Sequence, residues 1–168
     1  SLPLPPGAIP RAVAVAGLPL STGFDPLARA GLAAFPAGTA PGLAGVPGAG
    51  EMAAALLVWG DATLAAGGTV TARDGDRLYS FGHAFLALCG VRLPAARARV
   101  LAVQRSFANS FKLFTVGDAF GTFVADRPAG MLAEVGAPPE GLEVAVRVRE
   151  PLGDRSWRFR VAEVPILE

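Results

Sequence analysis

A mainly β domain, closed as a barrel or stacked as a sandwich, is the fold class this sequence predicts. Short β-branched or alternating runs recur between breaks rich in Gly and Pro. Asp74-Gly75-Asp76 separates two such runs as a tight reversal, because Asp-Gly accepts the positive φ that hairpin turns need. Near the end, Leu142, Val144, Val146 and Val148 alternate with Glu143, Ala145, Arg147 and Arg149. Pro151-Leu152-Gly153-Asp154 then turns, and Trp157, Phe159 and Val161 alternate with Arg158, Arg160 and Ala162. This pair reads as an antiparallel hairpin with one wet, arginine-bearing face. Many short strands with such punctuation imply a β-barrel or sandwich.

The chain is long enough for one domain with a real core: 168 residues, 52% apolar and only 17% charged. Mean hydropathy is +0.44, outside the range of disordered chains. The net charge of +1 is spread along the sequence, so there is no clustered cationic footprint for nucleic acid. Gly, Pro and charges interrupt every apolar run before it reaches membrane-spanning length. No basic stretch followed by an apolar signal-type segment is seen. One cysteine, Cys89, and one histidine, His83, do not suffice for a structural zinc site, and no metal or cofactor is expected. Leu88 and Val91 beside Cys89 favour a small buried hydrophobe over a reactive thiol.

Residues 1–50 form a Pro/Gly-rich N-terminal segment and linker, expected to be irregular and packed along the surface. Inside it, Ala12–Ala16 fits a strand. Phe24–Leu32 fits a short helix, with Asp25 as N-cap and Pro26 as its first residue. Residues 36–50 read as a linker with almost no charge. Residues 51–168 form the β domain. Met52–Trp59 is either a strand buried on both faces or a short core helix, and Gly60-Asp61 turns. Thr69-Val70-Thr71 and Arg77–Phe81 are the arms of the central hairpin, which delivers Gly82-His83 and the apolar Ala84–Leu88. Ala95–Gln104 fits helix or strand, and Val116-Gly117-Asp118 reads as another turn. Gly121–Asp126 and Gly130–Val135 are strand-like.

Three pieces resemble, in order and spacing, the peptidase domain of the stage IV sporulation protein B (SpoIVB) family. They are Leu57-Val58-Trp59-Gly60-Asp61 with Gly68-Thr69-Val70-Thr71; Ser80-Phe81-Gly82-His83; and Gly121-Thr122-Phe123-Val124-Ala125-Asp126-Arg127-Pro128-Ala129-Gly130. The resemblance covers roughly residues 50–136. Leu93-Pro94, Ser110-Phe111-Lys112 and Phe24-Asp25-Pro26 are similar to a wider branch of envelope proteins carrying this domain. The resemblance implies a chymotrypsin-like β-barrel, or part of one, to which the chain's own pattern adds one or two short helices. It also implies a serine peptidase of the cell envelope or a secreted one, with a protein or peptide as substrate or partner. His83 takes the general-base position by that match. The sequence departs from the family in having no Gly-x-Ser-Gly, and in carrying Ala84 where a proline is usual. The family's serine would fall beyond Glu168.

A serine needs a base in hydrogen-bond reach, and the base needs a group that orients it. Histidine titrates in the physiological range, and His83 is the only one here. Ser110 and Ser106, flanking Phe107-Ala108-Asn109, are the candidate nucleophiles, with Asn109 or Lys112 placed to polarise a carbonyl. Both serines also suit ordinary turn or cap positions. Asp61 and Asp126 fall inside the family-like pieces and are the candidate orienting carboxylates; Asp74 and Asp76 belong to their turn. Two functional classes stay open: an envelope serine peptidase, and a non-catalytic binding or scaffolding module on the same fold.

Overall fold

The computed structural model describes residues 11–17, 32–105, 110–149 and 153–164. Among them are β1 (Arg11–Ala16), β2 (Leu32–Pro36), β3 (Gly38–Thr39), β4 (Met52–Gly60), β5 (Thr63–Asp74) and β6 (Arg77–Ser80). Then follow β7 (Cys89–Gln104), β8 (Phe111–Arg127), β9 (Gly130–Val135), β10 (Leu142–Val148) and β11 (Arg155–Val161). The described residues contain no helix.

Antiparallel pairing runs β4–β7–β8–β9–β6–β5, and β5 returns to β4, so six strands form a ring. The fold is mainly β with the character of a partial barrel. Long strands make the ring by dividing their pairing. Residues 64–69 of β5 face β4, while residues 70–74 face β6. β7 likewise pairs with β4 through Ala95–Ala98 and with β8 along most of its length.

The sequence supplies small residues where strands curve and large ones where space must be filled. Ala53, Ala55, Ala66, Ala95 and Ala133 line the inner cluster, filled by Leu78, Phe85, Leu93, Phe123 and Met131. Met52, Ala54, Leu56, Ala65, Ala96, Ala98, Phe114 and Val116 form a second cluster. Successive residues of β4 enter different clusters, so Met52–Leu56 is a strand buried on both faces and not a helix. Removing Phe123 or Leu93 from water contributes about 1.5–3 kcal/mol each.

Several expectations are corrected. Val116-Gly117-Asp118 does not turn: it lies within β8, at a register shift against β7 between Ala96 and Ala98. Gly117 is needed because a Cβ there would lie 2.2 Å from the Leu43 carbonyl oxygen. That carbonyl accepts from Asp118 N–H at 3.0 Å, while Ala40 N–H donates to Val116 O at 2.8 Å. Residues 38–43 are therefore fastened along β8 and are not a free linker. The irregular surface segment expected over residues 1–50 is also interrupted, since β1 pairs with β5 and buries Val13 and Val15. The helix expected over Phe24–Leu32 lies outside the described residues except Leu32, which opens β2.

Ala95–Gln104 resolves as strand. Cys89 is exposed, not buried. Its left-handed φ of 64° and the register shift between Gly90 and Leu93 break the alternation that carries Val91 and Leu93 inward. The terminal hairpin has the expected strands, but its apolar face is not covered. β11 joins β4 only through Phe159–Val161, so the rest of the ribbon projects, with Leu142 62% and Val146 39% exposed.

Gly121 tests the tightness of the ring. A Cβ there would lie 2.0 Å from the Glu134 carbonyl oxygen across β9. We expect Gly121→Ala to lower the unfolding free energy by about 1–3 kcal/mol in urea titration, because backbone must move to admit it. An unchanged midpoint would contradict this packing.

Candidate functional site

β6 ends where the chain can no longer follow the ring. Asp74 pairs with Arg77, leaving Gly75 and Asp76 as the hairpin loop, with the positive φ at Gly75 (56°). The strand returns to Ser80, and Phe81 and Gly82 both take φ of 72°. The backbone leaves the sheet there and presents His83 to solvent. Ala87 (60°) and Cys89 (64°) are also left-handed. Such conformations in non-glycine residues cost about 1–3 kcal/mol each and persist only where the surroundings impose them.

The surroundings here are specific. Asp126 of β8 is fully buried, and its Oδ1 accepts from Phe85 N–H at 2.7 Å. Its Oδ2 accepts from Leu86 N–H at 2.5 Å and from Ala87 N–H at 2.8 Å. An ionised carboxylate is costly to bury unless charge-assisted hydrogen bonds replace its water, and three loop amides do so here. Phe85 enters the core, 2% exposed. Phe81 packs edge-to-face on Phe123, ring centroids 5.8 Å apart, and lies 6.2 Å from the His83 ring.

Two glycines make room. A Cβ on Gly68 would lie 2.2 Å from the Phe81 ring, and one on Gly130 would lie 2.7 Å from Ser80 O. Gly68, Asp126 and Gly130 thus bear on one loop, residues 81–89, whereas Asp61 lies at β11. Gly68 receives Phe81, Asp126 binds the amides after His83, and Gly130 abuts the end of β6.

His83 Nδ1 lies 2.8 Å from the carbonyl oxygen of Ala84. A carbonyl only accepts, so Nδ1 carries the hydrogen in this contact. Nε2 of the neutral ring is then the nitrogen left with a lone pair, the form a general base requires.

The other sequence candidates fall as follows. Asp126 is brought to the histidine's loop, but its carboxylate binds backbone amides. Asp61 sits between β4 and β5, where Oδ2 accepts from Arg158 N–H at 2.8 Å and its own N–H donates to Arg158 O at 3.0 Å. It fastens β11 to the ring. Ser110 is exposed just before β8, and Ser106 and Asn109 lie outside the described residues. Lys112 Nζ donates to Thr69 Oγ1 at 2.6 Å. Thr69 O in turn accepts from Phe81 N–H at 3.1 Å, so the start of β8 is linked to the base of the loop. Ser80 is buried with its hydroxyl unpartnered, and so does not accompany His83 to the surface.

Sequence reasoning did not find the role of the Phe85–Ala87 amides. The only signal was an aspartate in a strand otherwise made of apolar and small residues, Gly121–Ala125. Among the described residues, no group of three or more His, Cys, Asp or Glu is arranged around a metal-sized space.

If Asp126 holds the loop, removing its acceptors leaves the buried Phe85 amide and the half-buried bonds of Leu86 and Ala87 without a partner. We expect Asp126→Ala to cost about 3 kcal/mol or more of folding stability, with Asp126→Asn costing less because one oxygen remains. A loss under about 1 kcal/mol for the alanine variant, measured by chemical denaturation, would contradict this role. No family model, no curated protein and no solved structure matches this chain.

Proposed function

We propose that this chain is the histidine-bearing β domain of a SpoIVB-type serine peptidase that acts on proteins of the cell envelope or outside the cell. His83 is the general base in this reading. The observation that carries it is the presentation of His83: an exposed imidazole on a strained, tightly fastened loop, with Nδ1–H on the Ala84 carbonyl and Nε2 left to accept a proton. The sequence contains no Gly-x-Ser-Gly, so we infer that the 168 residues do not turn over substrate alone.

A second reading has its own support. The two candidate orienting carboxylates are engaged elsewhere, Asp126 by loop amides and Asp61 by the backbone of Arg158. A domain that keeps the fold as a binding or scaffolding module has no need of a carboxylate on its histidine.

Fluorophosphonate labelling separates the two readings, applied to the 168-residue chain and to any longer chain that carries it. In the peptidase reading, the 168 residues alone stay unlabelled and a longer chain with a Gly-x-Ser-Gly labels on that serine. His83→Ala then lowers that labelling rate by about 10⁴-fold. Labelling of neither overturns the peptidase reading and favours the binding module. Labelling that survives His83→Ala removes His83 from the chemistry and overturns the peptidase reading.

A further inference from the structure

We propose that β10 is the contact edge of a symmetric dimer, pairing antiparallel with β10 of a second copy of this chain. β10 is the last strand of the sheet path and pairs with β11 alone, so among the described residues its outer edge has no partner. Such an edge presents a row of backbone donors and acceptors, and β10 carries neither a proline nor a bulge to discourage pairing.

The occupant is indicated by the strand's own charge order. Two identical strands related by a two-fold axis overlap fully when the axis passes beside Ala145. In that register Leu142 faces Val148 of the second copy, Val144 faces Val146, and Glu143 faces Arg147. Directly opposed residues share one face of an antiparallel pair. Apolar residues therefore meet apolar ones, and each Glu–Arg pair occurs twice by symmetry.

Glu143 and Arg147 are both exposed, and neither makes an ion pair among the described residues. A shift of four residues either way would set Glu143 against itself or Arg147 against itself. Within its own hairpin Glu143 faces Arg160, Arg147 faces Ser156 and Ala145 faces Arg158. That ribbon face is rich in arginine. In the dimer the carboxylate of Glu143 sits between Arg160 of its own chain and Arg147 of the other. The apolar side gains too: Val146 and Val148, 39% and 38% exposed, acquire cross-strand neighbours.

Sedimentation velocity on the 168-residue chain over a concentration series is the test, with circular dichroism verifying that each variant keeps its β signal. Wild type is expected to dimerise. Arg147→Glu faces only Ser156 in its own hairpin, and should weaken the dimer about tenfold by opposing like charges twice. Glu143→Arg combined with Arg147→Glu should restore it. As an independent readout, an Ala145→Cys chain in a Cys89→Ser background should cross-link to itself on mild oxidation, because a residue on the axis faces its own copy. A chain that stays monomeric at every concentration, a dimer indifferent to Arg147→Glu, or one not restored by the double exchange would overturn the proposal. If Arg147→Glu lost its β signal, the cross-link would decide: its formation supports the register and its absence rejects it.

Discussion

One buried carboxylate governs the candidate site. Asp126 has no exposure to water, and its two oxygens accept from the amides of Phe85, Leu86 and Ala87. Without that interaction, the buried Phe85 amide would lose its acceptor, the Leu86 and Ala87 amides would lose theirs at the rim, and the left-handed residues of the loop would lose their anchor. With it, Phe85 seals the core and His83 stands outside as part of a defined surface. The cost of the strained backbone is spread over the charge-assisted bonds to Asp126, the burial of Phe85 and the fit of Phe81 over Gly68. A buried carboxylate thereby holds the segment that presents an exposed imidazole.

The ring supplies the rigidity this coupling needs. Its curvature depends on alanines and glycines, which let the β4, β5 and β7 backbones approach while Phe123, Leu93, Leu78 and Met131 fill the middle. The same economy appears on the other face of the ring strands, where Gly117 admits the Leu43 carbonyl and Gly67 leaves space for Met52 and Phe114. In such a core an added methyl group meets backbone or ring atoms rather than a void.

Local patterns in the sequence were legible where one residue type decides one geometry. The Asp74-Gly75-Asp76 reversal and the β10–β11 hairpin follow from turn chemistry and period-two alternation, and both are present. Alternation says which side chains share a face, but not whether another element covers that face, and the apolar side of β10 is bare. Val116-Gly117-Asp118 has a turn's composition, yet it lies at a bulge in a long strand, its glycine admitting the Leu43 carbonyl and its aspartate accepting from Gly42 N–H at 3.4 Å. Ala12–Ala16 is legible as a strand, but its place in the sheet is not, because its partner β5 lies far along the chain. At the site, the position of His83 after a hairpin was readable. The engagement of Asp126 was not, since hydrogen bonding to backbone amides leaves no mark in the identity of the residues that donate.

The most direct test of the central claim is native-state hydrogen exchange at the amides of Phe85, Leu86 and Ala87. Bonded to a buried carboxylate, they should exchange at least about a thousandfold more slowly than amides of an unstructured loop, and in concert. Exchange at the rate of a solvent-exposed loop, with the rest of the ring protected, would contradict the account: Asp126 would not hold the segment that presents His83.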